Sequence, residues 1–168
     1  MKRLLAFCAA LTFPLCSIAA DNPDESFFKD AAEAGLAEVA AGKLAQTKGA
    51  SQAVKDFGTK MVKDHSAANE KLKTIADAKS VKLPTEPGLT HKAKAELLEH
   101  KNGKDFDTAY VDGQIKDHEA TVELLQKEIT SGKDAEAKAF AKETLPKVQA
   151  HLKAITDIKA GGSGAMKH

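Results

Sequence analysis

The chain has 168 residues, 42% of them hydrophobic and 29% charged, with a formal net charge of +1. That length suits one domain, and a charge so near balance gives no electrostatic reason to expect nucleic acid. Arg3 is the one arginine, there is no Trp and Tyr110 is the one tyrosine, so the side chain that grips phosphates bidentately is nearly missing.

Met1-Lys2-Arg3 is basic, Leu4 to Leu15 is largely apolar, and Ser17-Ile18-Ala19-Ala20 offers small residues. This pattern predicts a secretory signal peptide over residues 1–20, cleaved after Ala19 or Ala20, and a periplasmic or secreted mature chain. The apolar run is shorter than the roughly 20 residues a membrane span needs. Lipid attachment at Cys16 is the variant of this reading, with Phe13-Pro14-Leu15 a poor approach to it. Cys8 and Cys16 both fall in the leader, leaving the mature chain no disulfide, no cysteine zinc site and no thiol nucleophile. Without Lys2 and Arg3, 23 lysines face 24 acidic residues.

Residues 21–160 read as one helical domain. Asp24 or Ser26 is placed to cap a first helix. Phe27, Ala31, Ala34, Glu38, Ala41 and Ala45 form its expected seam, widened by Phe28, Ala32, Gly35, Val39 and Gly42, and these small residues allow close approach of a neighbour. Gly49 ends this helix and Ser51 caps a second, which carries Val54, Phe57, Met61, His65, Ala68, Leu72 and Ile75 on one side to about Lys79. Pro84 and Pro87 break the stretch 80–102, where Thr90 opens a short helix. That connection is long enough to run from one end of a bundle to the other. A third long helix from near Asp105 shows Val111, Ile115, His118, Val122, Leu125 and Ile129; the last shows Ala137, Ala141, Thr144, Val148, His151, Ile155 and Ile158. Pro146 is expected to bend that helix or start a new segment beyond Thr144. Residues 161–168 read as a flexible tail.

Glu38, His65, His118 and His151 each stand mid-way along an apolar seam. Folding at the two predicted turns places them together. The midpoint of Glu38 and His65 is the Ser51–Gln52 bond, and that of His118 and His151 the Asp134–Ala135 bond. Both fall beside a turn, so the partners should differ in height by no more than roughly 5 Å. A carboxylate and three imidazoles suit zinc, copper, iron, manganese or nickel better than calcium or magnesium. Asn69 and Gln114, one turn from His65 and His118, are candidates to orient the rings. The other reading of the same residues is a structural one: a buried Glu–His pair and hydrogen-bonded histidines with no ligand, in an envelope protein whose partner the sequence leaves open. Asp64 and Asp117 point about 100° away from the adjacent histidines and are expected to flank the core or pair with lysines. His91 and His100 read as solvated, and His168 is assigned no role.

Catalytic signatures are thin. There is no Gly-rich phosphate loop, GxSxG or HExxH. The Glu-x-x-His of di-iron bundles is also missing: Val62, Ile115 and Val148 stand three before the histidines. The sequence nominates no catalytic residue and leans against an enzyme.

Together, Phe28-x-x-x-Ala32-x-x-x-Leu36-x-Glu38, Phe57-x-x-x-Met61-Val62-x-Asp64-His65, Phe106-Asp107-x-x-Tyr110 with His118, and Leu145-Pro146 with His151-Leu152 resemble the bacterial family DUF4142 over roughly residues 24 to 158. The resemblance implies an exported, ferritin-like four-helix bundle, often with a short extra helix, and a Pro146 native to the last helix. It implies no settled activity. Some members carry an outer-membrane label, although nothing in this sequence looks like a membrane barrel.

Overall fold

The structure, a computed structural model, describes residues 24–164. The expected signal peptide, both cysteines and His168 lie outside the described residues. Five helices follow in order: α1 (Glu25–Lys48), α2 (Gln52–Ala78), α3 (Leu89–Glu99), α4 (Gly103–Ser131) and α5 (Ala135–Gly164). The expected all-α bundle with a short extra helix in its long connection is what forms. No helix among the described residues is long and apolar enough to cross a membrane.

The turns follow from local chemistry. The Ser51 hydroxyl accepts from the Val54 N–H at 3.3 Å and caps α2. Asp134 Oδ1 accepts from the Glu136 and Ala137 N–H groups at 3.0 and 2.9 Å and caps α5. α1 and α2 form one hairpin, and α4 and α5 the other.

Asp24 corrects an expectation. It precedes α1 but makes no cap bond to that helix. Its carboxylate instead accepts the Lys133 N–H at 2.7 Å and the Asp134 N–H, in the α4–α5 turn. Asp107, in the first turns of α4, does the same for the α1–α2 turn, taking the Ala50 and Ser51 N–H groups at 2.8 Å each. Each hairpin therefore holds the other's turn with one carboxylate. The two lie head to tail, and residues 79–102 run the length of the bundle between them.

α5 narrows one expectation and corrects another. Pro146 starts no new segment but stands inside the helix, as the family resemblance implies. It lies on the exposed face, where water can take the carbonyl that its missing N–H leaves open. The helix also continues through Gly161 to Gly164, where tail was expected. Extending a formed helix gains a hydrogen bond for each residue fixed.

The core has two apolar halves. Phe28, Ala32, Leu72, Leu125, Phe140 and Val148 belong to one. Ala45, Phe57, Met61, Phe106, Tyr110, Val111 and Ile155 belong to the other. On each long helix a buried polar residue lies between its contributions to the two halves: Glu38, His65, His118 and His151. A polar layer thus divides the bundle.

The buried face of α1 is Phe27, Phe28, Ala32, Gly35, Glu38, Gly42 and Ala45. Ala31, Ala34 and Ala41 of the expected seam are only partly buried. The glycines turn the face: a Cβ on Gly42 would lie 2.7 Å from the Gly58 carbonyl, and one on Gly58 would lie 2.7 Å from the Gly42 carbonyl. α1 and α2 touch backbone to backbone there, which only glycine permits.

Candidate metal centre

His65 on α2, His118 on α4 and His151 on α5 are buried, 7%, 1% and 2% exposed. Their ring centres form a nearly equilateral triangle with sides of 5.7 Å for His65–His118, 5.5 Å for His65–His151 and 5.6 Å for His118–His151. One ring nitrogen from each lies within 4.8 Å of the other two.

What holds each ring fixes which nitrogen is free. The Nδ1 of His118 donates to the Gln114 carbonyl oxygen at 2.9 Å, because that oxygen can only accept. His118 Nε2 is left buried without a partner. His151 Nε2 donates to Asp64 Oδ2 at 2.9 Å, and its Nδ1 is the buried nitrogen without a partner. His65 has its Nε2 in the same state. No hydrogen bond joins one ring to another.

Burial lowers the pKa of all three histidines. His65 falls to about 3, with His118 and His151 adding to the effect of burial. His118 falls to about 4, burial outweighing its Gln114 bond. His151 is lowered by burial against the opposing pull of Asp64. All three are neutral at pH 7, the form whose nitrogen lone pairs bind metals.

Glu38 stands off the triangle. Its Oε2 accepts from Gln114 Nε2 at 2.7 Å, and its Oε1 lies 3.7 Å from His118 Nδ1, the nitrogen already committed to Gln114. Burial raises its pKa to about 8 despite the Gln114 bond. Glu38 thus sits beyond His118, on the side away from the free nitrogen. Gln114 holds His118 through its backbone and Glu38 through its side chain. Asn69 lies against Gly35, where a Cβ would come 1.9 Å from its Oδ1.

Asp64 makes the lysine pair expected of it and adds a contact to the site that the sequence did not assign. It pairs with Lys60 at 2.6 Å, as the spacing of four predicts, and it also reaches across to His151. Burial would raise its pKa, but the hydrogen bonds from Lys60 and His151 outweigh that and hold it low. Asp117 pairs with Lys94 of α3. His91 is partly buried and His100 exposed.

Fold and site together define a helical bundle with a buried triad of neutral histidines across its middle. The chain belongs to the family described as a domain of unknown function, DUF4142, whose profile matches residues 15–158. This agrees with the resemblance read from the motifs. No curated protein sequence matches the chain. The fold is similar to a crystal structure provisionally described as a secreted DUF305 protein from Streptomyces coelicolor, with a TM-score of 0.72 and 14% identity over 84% of this chain and 94% of that one.

Proposed function

We propose that this is an exported binding module that holds one transition-metal ion through His65 Nε2, His118 Nε2 and His151 Nδ1. The observations that carry the reading are three buried neutral histidines with one ring nitrogen each within 4.8 Å of the others, and on every ring one buried nitrogen without a partner. Spacing supports it. A metal about 2.0–2.1 Å from each nitrogen stands about 3.2 Å from each ring centre, so three such rings have centres about 5.2–5.5 Å apart, against the observed 5.5 to 5.7 Å. The Asp64–His151 bond and the Gln114–His118 bond are the outer supports that metal-binding histidines use.

An all-nitrogen set suits zinc, copper, iron or nickel, with manganese less favoured and calcium and magnesium excluded by their preference for oxygen. Three protein ligands leave a fourth position for water or an outside ligand. In this reading Glu38 is a positioning residue and not a ligand. A purely structural network accounts for Glu38–Gln114 and Asp64–His151. It leaves three facing nitrogens unpaired, each at a cost of about 1–3 kcal/mol.

The test is thermal melting of the purified, demetallated chain titrated separately with zinc, copper(II), iron(II) and manganese. Wild type should gain about 2.7 kcal/mol at a hundredfold excess over the dissociation constant, and His118→Ala should lose that gain. No shift with any of these ions would sink the proposal. A shift that persists in His118→Ala would place the metal elsewhere. Export is tested separately: the N-terminus in the periplasmic or secreted fraction should be Ala20 or Asp21, whereas a full-length cytoplasmic chain would refute it.

A further inference from the structure

The histidine triad has a shape as well as a donor set, and shape separates one metal from another. Around a metal with tetrahedral angles, three imidazole ring centres stand about 5.2 Å apart; around a metal in the plane of the three nitrogens they stand about 5.5 Å apart. The observed sides of 5.7, 5.5 and 5.6 Å lie at the planar end, and their near equality is that of a three-fold arrangement. Zinc in a closed site is almost always four-coordinate, and copper(II) and nickel(II) favour tetragonal sets. Copper(I), with its filled d shell, accepts three nitrogens in one plane.

No protein group stands ready as a fourth ligand. The cluster consists of the three histidines, and no carboxylate oxygen joins it among the described residues. Glu38 is engaged by Gln114 beyond His118. Clefts of about 310 and 230 Å³ are both lined by Glu38, and none of the three histidines lines either.

Charge points the same way. A buried cation is costly unless opposite charge meets it. Asp64 acts on His151 and Asp117 on His118 from outside the triangle, but each is already paired with a lysine, Lys60 and Lys94. Lys147 adds a further positive charge near His151. A monovalent ion therefore brings one unmet charge into the layer where a divalent ion brings two. We propose that the triad selects monovalent copper, held in the plane of its three free nitrogens without a fourth ligand. This selectivity rests on the metal-site reading above and narrows it to one ion in one oxidation state.

The test is anaerobic chelator competition with the purified, demetallated full chain. Copper(I) is supplied as its acetonitrile complex and contested with bicinchoninate; zinc and copper(II) are contested with chromophoric chelators of their own. Copper(I) should bind one to one, and about 100-fold or more tighter than zinc or copper(II). X-ray absorption of the copper(I)-loaded chain should show three nitrogen neighbours and no fourth. Folded His118→Ala and His151→Ala should each lose the copper(I). Zinc or copper(II) bound within about tenfold of copper(I), or a fourth neighbour on the metal, would overturn the selectivity and leave the metal site standing. Copper(I) kept at full affinity by both folded variants would overturn the planar triad. No binding of any of the three ions would sink the metal site itself.

Discussion

His118 and His151 leave different ring nitrogens without a partner, and the choice is made by what grips the far side of each ring. For His118 the grip is a backbone carbonyl, which substitution at Gln114 leaves in place. For His151 it is the Asp64 carboxylate, which can be changed. Asp64→Asn should keep the helices and weaken metal binding about 10–100-fold, read by competition with a chelator. It should also lower the His151 pKa further, because the carboxylate opposes the effect of burial. Unchanged affinity in that variant would separate Asp64 from the metal centre. The three histidines were legible in the sequence because each interrupts an apolar stripe at helical spacing. The Asp64–His151 pair was not, because it depends on how far α2 and α5 are turned about their own axes, which spacing along one helix does not fix.

At the scale of the element, the glycines divide into two kinds. Gly58 sits where α1 and α2 meet, with the Gly42 carbonyl and the Ala45 Cβ each 2.7 Å from where its own Cβ would be. Gly58→Ala should destabilise by about 1–3 kcal/mol through overpacking. Gly113→Ala should stabilise by about 0.5–1 kcal/mol, since it gains helix propensity and meets nothing. Chemical denaturation of the two variants beside wild type checks both, and the two signs must be opposite. The same glycines explain why the buried face of α1 lies toward the Phe28, Ala32, Gly35 and Gly42 side of the expected seam, with Ala31, Ala34 and Ala41 at its edge. A stripe drawn through alanines assumes that side chains make the contact, but here bare backbone does. α3 was legible as a helix, although none of its residues is buried and Leu89 and Leu97 are 85% and 68% exposed.

Across the whole molecule, buried titratable groups in the polar layer and at the end of α4 make stability depend on pH in both directions. The folded pKa values of the three histidines lie below the ordinary 6.5. Their contribution is therefore complete above about pH 6.5 and is lost as pH falls toward the folded values. Glu38 and Glu128 are raised from 4.5 to about 8 and about 7, chiefly by burial. Their contribution is complete below pH 4.5 and is lost as pH rises through the folded values. Between these limits three histidines outweigh two glutamates, so stability climbs; above about pH 6.5 only the glutamates act, so it falls. Urea unfolding of the metal-free chain should show a maximum near pH 6.5, and Glu38→Gln should flatten the alkaline side. A steady rise through pH 8 would contradict this assignment of charges. The two-hairpin arrangement was legible from the turn residues and the register of the polar groups. The unpartnered Tyr110 hydroxyl and Gln114 Oε1 were not, because buried oxygens without partners are a property of packing rather than of pattern.

The carboxylates of Asp24 and Asp107 clasp the hairpins at opposite ends, and one stretch of chain, residues 79–102, joins them covalently. The covalent link contributes proximity, while the clasps and the shared core supply the specificity. A chain divided after Lys82 should therefore reassemble. Residues 24–82 and 83–164, each poorly folded alone because it exposes the inner face of one hairpin, should combine one to one into a helical complex, detectable by native mass spectrometry. Joining them in one chain raises their effective concentration without adding a contact at the clasps. By the same logic, hairpins from two copies can trade places and keep both clasps intact, the arrangement from which domain-swapped dimers arise.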